Sequence, residues 1–176
     1  MVTKHAFLLF EVVRETSGAR VIVDSTKNPA RMKALYLSDP NGMVVINLLR
    51  DGRAVCNSRM RRQRISMDAA ARTWAAEHRK RRAAQWSIPG GMFITVHYEA
   101  LCRDPSGELA RICRFVDIDF EPAMLDFRHE RHNLGGNPMR FSTARDIHED
   151  DRWRRELTAD DLERFEAEMR TVVAEK

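Results

Sequence analysis

The chain has 176 residues, of which 43% are hydrophobic, and this is the size of one domain that can bury a core. The 30 Lys and Arg residues against 26 Asp and Glu residues give a formal charge of +4, a mild excess that suits a polyanionic small molecule and does not require nucleic acid. No apolar run reaches the ~20 residues that cross a membrane, and no secretory signal or His/Cys cluster occurs, so we expect a cytoplasmic protein with no membrane or metal partner.

Helices and short Val- and Ile-rich strands are predicted to alternate along the first third of the chain. A helix over 6–14 ends at Ser17-Gly18, and a strand over 20–24 follows it. Pro29 favours the first turn of a helix over 30–37, which leads to a second strand over 43–49.

The same alternation continues to the end of the chain. A helix is predicted to start near Gly52, and a second over 68–85 has Ser66 as its N-cap. A strand over 92–97 and a helix over 106–116 follow. The last helix begins at its N-cap Thr158, with Asp161 in a capping box, and ends at about Ala174. The strands are mostly continuous apolar runs, which is typical of strands buried on both faces of a parallel sheet. The sequence therefore predicts an α/β fold with a parallel sheet flanked by helices.

Polar side chains follow the first predicted strand. The segment 24–31 (DSTKNPAR) places hydroxyl groups and Lys27 at a strand's carboxyl end, where ligands of open parallel sheets bind. A lysine there can stabilise charge on a transferring group. The alternative is ordinary helix capping by Ser25 or Thr26, and taken alone the segment favours capping.

A possible phosphate site follows the second predicted strand. Arg50 offers a planar fork of donors, and the free N–H groups of a helix that starts at Gly52 favour an anion nearby. Gly52 would permit a sharp turn, and Ser58, about two turns into the helix, can add a hydroxyl. The alternative is a structural pair of Arg50 with Asp51, with Ser58 only packed, and the spacing leaves both interpretations open.

Two later segments are weaker candidates on their own. Tyr98, after the third predicted strand, can offer its ring or hydroxyl to a base, although a core tyrosine with one solvated end is commoner. The segment 132–141 contains Gly135, Gly136 and Arg140, and its backbone amides can approach a ligand closely. A surface turn is the alternative.

Together these segments resemble the sulfotransferases that use 3′-phosphoadenosine-5′-phosphosulfate (PAPS). The segment RDGRAVCNS resembles the family's 3′-phosphate motif, with Arg50 at the strand end and Ser58 eight positions on. VIVDSTKNPAR is similar to a segment of many bacterial-type members, and VHYEALCRDPSGELARICRFVDI to the family's Tyr-Glu-Asp-Leu region, with Ala100 in place of the usual aspartate. HNLGGNPMRF resembles the late loop that closes over the nucleotide.

The resemblance implies a P-loop-like sulfotransferase fold and a role for each matched residue. Arg50 and Ser58 would bind the 3′-phosphate, Tyr98 would contact the adenine, and Lys27 would lie near the sulfuryl group. Gly135, Gly136 and Arg140 would close the loop over the nucleotide. The implied reaction transfers a sulfuryl group from PAPS to a hydroxyl or amine of a small-molecule or carbohydrate acceptor.

One family feature has no counterpart in this sequence. Nothing in residues 1–20 resembles the Gly- and Ser/Thr-rich loop that holds the 5′-phosphosulfate. We therefore expect a single, partial domain over 1–176 that lacks the first strand-loop-helix unit and has impaired activity.

Two other functions are compatible with these residues. The chain can be a catalytically inactive nucleotide-binding homologue or scaffold. The basic runs 59–64 and 79–82 also suit a nucleic-acid-binding module, but acidic residues interleave elsewhere and no groove-reading motif occurs. This second alternative is weaker than the enzyme.

Overall fold

The computed structural model describes residues 2–126 and 147–174. In these ranges the elements follow the order α1 (Val2–Ser17), α2 (Pro29–Ser38), β1 (Val45–Leu49), α3 (Gly52–Gln63), α4 (Met67–Gln85), β2 (Phe93–His97), α5 (Tyr98–Arg103), α6 (Pro105–Phe115), α7 (Trp153–Glu156) and α8 (Ala159–Ala174). Short 3₁₀ turns lie at Gly90–Met92 and Pro122–Leu125. None of the helices within these ranges is long and apolar enough to span a membrane.

The sheet confirms the predicted fold class. Strands β1 and β2 are hydrogen-bonded neighbours in a parallel arrangement flanked by helices. The predicted strands over 43–49 and 92–97 are confirmed with slightly later starts, at Val45 and Phe93. Their buried positions, Val45 and Val96, are 8% and 1% exposed.

The first predicted strand, over 20–24, is wrong. The chain there belongs to neither strand of the described sheet, and Val21 and Val23 are 40% and 79% exposed. Val- and Ile-rich composition favours strand conformation largely through packing against neighbouring strands. Here β1 and β2 pair with each other instead.

The predicted helix boundaries hold because the capping chemistry is present. Gly18 follows α1 with a φ of +66°, a conformation that glycine adopts without steric cost. Thr158 and Asp161 form the predicted capping box before α8: the Asp161 amide donates to Thr158 Oγ1 over 3.1 Å, and the Thr158 amide donates to Asp161 Oδ2 over 3.0 Å. Ser66 Oγ accepts from the Ala69 amide over 3.4 Å at the start of α4.

The chain divides into two compact units, each with its own core. The first comprises Met1–Val45 and Ala76–Phe93, and its buried cluster is Tyr36, Val45 and Ile88. The second comprises Ile46–Ala75 and Ile94–Lys176, and its buried cluster is Cys56, Met67, Ala70, Ala71 and Phe165.

Gly52 has a different role from the predicted sharp turn. Its φ is not in the left-handed region, so the turn does not require glycine. A Cβ at this position would lie 2.7 Å from Phe165 Cζ and 3.0 Å from the Trp74 ring. Glycine is needed because α3 begins directly against these two aromatic side chains.

Candidate functional site

The second unit brings two of the predicted site residues together. Arg50 follows the last residue of β1, and Tyr98 follows the last residue of β2. Because the carboxyl ends of adjacent parallel strands meet at one edge of the sheet, the two side chains become neighbours. The Arg50 guanidinium carbon lies 4.7 Å from the centroid of the Tyr98 ring, within the range of a cation–π contact.

Asp150 is a third residue of this cluster. Arg50 Nη2 donates to the Asp150 backbone carbonyl over 2.8 Å and lies 3.2 Å from Asp150 Oδ2. The Asp150 amide donates to the Tyr98 hydroxyl over 3.0 Å. Arg152 holds the same carboxylate with two hydrogen bonds, Nε to Oδ1 at 2.7 Å and Nη2 to Oδ2 at 2.9 Å.

The charges of this cluster follow from those contacts. Hydrogen bonds from Arg152, and a further one from Arg50, hold the pKa of the Asp150 carboxyl far below its usual range in spite of partial burial. Burial raises the pKa of the Tyr98 hydroxyl, which therefore stays protonated at neutral pH. The cluster thus contains two guanidinium groups, one carboxylate and a neutral phenol.

One atom of Arg50 is not accounted for by these contacts. Arg50 Nε is buried and has no hydrogen-bond partner within residues 2–126 and 147–174. A buried donor without a partner costs free energy, so such groups are rare, and a bound anion is one explanation for them. A phosphate oxygen is a suitable acceptor for it.

The start of α3 differs from the prediction. The Asp51 carboxylate caps the helix, accepting from the Arg53 amide over 2.8 Å and from the Arg53 side chain over 3.0 and 2.6 Å. Burial alone would raise the pKa of Asp51, but the hydrogen bonds from Arg53 outweigh burial and lower that pKa. The predicted free N–H groups at this helix start are therefore partly used, and the alternative pair of Arg50 with Asp51 is also wrong.

The remaining predicted residues are distributed as follows. Ser58 lies on α3, half-buried, with its backbone carbonyl accepting from Arg62 Nε over 3.3 Å. Lys27 is exposed and belongs to the first unit. Gly135, Gly136 and Arg140 lie outside the described residues.

The segment around Lys27 shows how its neighbours are used. Arg31 pairs with Asp24, Nη2 to Oδ2, over 3.1 Å. Asn28 caps α2 by accepting from the amides of Ala30 and Arg31. The segment therefore caps a helix, but the capping residue is Asn28 and not Ser25 or Thr26. Of the two basic residues in DSTKNPAR, Arg31 is therefore neutralised by Asp24, and the Lys27 side chain extends into solvent.

Sequence reasoning missed Asp150. It belongs to an acidic segment, 148–151 (HEDD), which lies outside the four segments that resemble the family. The contact with Arg50 spans 100 residues of sequence, and no local pattern predicts it. No group of His, Cys, Asp and Glu that can hold a metal occurs among the residues that the structure describes.

A sulfotransferase family model matches residues 2–122. The chain belongs to the sulfotransferase family. The predicted family resemblance is thus confirmed, and residues 50, 58 and 98 all lie within the matched range. No curated protein matches the sequence.

Two solved structures are similar to this sulfotransferase-family chain. The sulfotransferase domain from the curacin biosynthetic pathway is 18% identical, with a TM-score of 0.69, over 92% of this chain and 66% of that one. The sulfotransferase domain from the Synechococcus PCC 7002 olefin synthase is 22% identical, with a TM-score of 0.70, over 90% of this chain and 62% of that one. These TM-scores show that the fold is shared, and the chain spans just under two thirds of each neighbour.

Proposed function

We propose that this chain binds the 3′-phosphate of PAPS and serves sulfuryl transfer to a hydroxyl or amine of a small-molecule or carbohydrate acceptor. The observation that carries the proposal is the buried Nε of Arg50, which has no hydrogen-bond partner among the described residues. It lies at the carboxyl end of a parallel strand, beside the Tyr98 ring. The guanidinium presents donors in one plane, which matches the oxygens of a phosphate.

The three predicted site residues of the second unit each have a defined role in this proposal. Arg50 donates to the oxygens of the ribose 3′-phosphate, and Ser58 adds a hydroxyl from the side of α3. The Tyr98 ring offers a flat apolar face for the adenine. These residues position the donor and do not react.

The transfer step needs charge stabilisation more than covalent chemistry from the protein. The acceptor oxygen or nitrogen attacks sulfur and releases its proton to solvent, the bond from sulfur to the 5′-phosphate oxygen breaks, and adenosine 3′,5′-bisphosphate leaves. The role predicted for Lys27, stabilisation of the charge on a transferring group, stays a prediction. A single well-placed donor of this kind contributes about 10²–10³ in rate.

Binding and transfer are expected to differ in strength. Within the described residues that precede β1, the chain forms α1 and α2 and no strand, so a strand-loop-helix cradle for the 5′-phosphosulfate has no counterpart there. We therefore expect nucleotide binding that rests on the 3′-phosphate, with weak transfer. An inactive homologue would bind in the same way and transfer nothing, and a PAPS-dependent assay distinguishes the two.

The test is calorimetric titration of the 176-residue chain with adenosine 3′,5′-bisphosphate. Arg50→Ala is expected to weaken binding by about tenfold or more, because hydrogen bonds to a charged group are lost. Arg155→Ala is the matched control, since Arg155 also belongs to the second unit and its side chain is 76% exposed. Unchanged binding in Arg50→Ala, or an equal loss in the control, would contradict the proposal.

A further inference from the structure

The anion site contains a residue that no sequence pattern assigned to it. We propose that Asp150 is an internal ligand of Arg50, and that a 3′-phosphate binds by displacing it. This inference rests on the proposed function, since it concerns how the same site discriminates among anions. It makes Asp150 a determinant of affinity for the donor nucleotide.

The geometry of the guanidinium carries the inference. A guanidinium can grip an oxyanion through two forks, one formed by Nε with Nη2 and the other by Nη1 with Nη2. Nη2 belongs to both forks and has two N–H groups. In this structure the Asp150 backbone carbonyl accepts from Nη2 over 2.8 Å, and Asp150 Oδ2 lies 3.2 Å from the same nitrogen as its ion-pair partner.

It follows that Asp150 and a phosphate compete for Arg50. While Asp150 remains in place, its carbonyl uses one N–H of Nη2, and its carboxylate, 3.2 Å from that nitrogen, would repel a phosphate oxygen there. Nε is left buried without a partner in the described part of the chain, as expected if one fork is only half used.

The carboxylate has a second partner that makes its displacement feasible. Arg152 binds both oxygens of Asp150 at 2.7 and 2.9 Å, and the Arg152 side chain is 41% exposed. When a phosphate binds Arg50, the Asp150 carboxylate therefore remains paired with Arg152. A carboxylate that lost its only cation would instead be left buried and unpaired, which is costly.

The experiment measures the affinity of the full chain for two nucleotides. Asp150→Asn keeps the size and backbone of the residue and removes the competing charge, so we expect adenosine 3′,5′-bisphosphate to bind about tenfold more tightly. Affinity for adenosine 5′-phosphate, which lacks the 3′-phosphate, should change by less than about twofold. The control is Asp151→Asn, which removes the same charge from a side chain that is 54% exposed and 3.9 Å from Arg155.

The outcomes separate this inference from the function on which it rests. If the wild type binds the bisphosphate and Asp150→Asn leaves that affinity unchanged or weakens it, the inference alone is overturned. An equal gain in Asp151→Asn, or an equal gain for both nucleotides, would also overturn it, because the effect would then be one of net charge. No binding by either protein would overturn the proposed function and this inference together. Asp150→Ser, judged by the same outcomes, replaces the Asn variant if circular dichroism shows that variant to be unfolded.

Discussion

Gly52→Ala tests whether close packing at the start of α3 holds the second unit together. The added Cβ would lie 2.7 Å from Phe165 Cζ, closer than a Cβ approaches other atoms in folded proteins, and 3.0 Å from the Trp74 ring, tighter than most such contacts. The two rings pack edge to face with centroids 6.0 Å apart, so a shift of Phe165 disturbs its contact with Trp74. Overpacking of this kind costs about 1–3 kcal/mol. The better helix propensity of alanine offsets at most about 1 kcal/mol of that cost.

We therefore expect Gly52→Ala to lower the free energy of unfolding by about 1–2 kcal/mol in urea titrations followed by circular dichroism. The matched control is Gly91→Ala, because a Cβ at Gly91 meets nothing within 4 Å and its φ is outside the left-handed region. That variant should be neutral or slightly more stable. If Gly52→Ala were as stable as the wild type, the packing explanation for this glycine would be refuted.

Two further predictions concern the caps of α3 and α8. The pKa of Asp51 is lowered in the folded chain, so its contribution to stability is complete above the unfolded pKa, near 3.8, and is lost as the pH falls through the folded pKa. Asp51→Asn should accordingly show a shallower loss of stability in acid, measured by urea midpoints across that range, and an unchanged acid slope would contradict this. Thr158→Ala removes the hydroxyl that accepts from Asp161 and should cost about 1 kcal/mol in the same assay, whereas a shift within error would show that the capping box contributes nothing.

Local sequence patterns predicted most of the fold because most of it depends on local chemistry. Pro29 and Gly18 mark helix ends by their own backbone preferences, and the Thr158–Asp161 pair does so by a contact three residues apart. The structure contains all three. The strand over 20–24 failed for the opposite reason. Its Val and Ile residues favour extended backbone, but a strand also needs a neighbour, and neighbours are not encoded locally.

The site was predictable only in part. Arg50 and Tyr98 could be expected to meet, since each follows a strand of one parallel sheet. Asp150 could not be expected there, because its contact with Arg50 depends on how the chain returns after 100 residues. The capping of α3 by Asp51 was missed for a different reason: at a helix start, a carboxylate and a bound phosphate satisfy the same N–H groups.

The most direct measurement is a double comparison by calorimetry: wild type and Arg50→Ala, each titrated with adenosine 3′,5′-bisphosphate and adenosine 5′-phosphate. If Arg50 contacts the 3′-phosphate, the substitution weakens bisphosphate binding by about tenfold or more and monophosphate binding by less than about twofold. Equal losses for the two nucleotides, or a wild type that does not distinguish them, would contradict a 3′-phosphate site at Arg50.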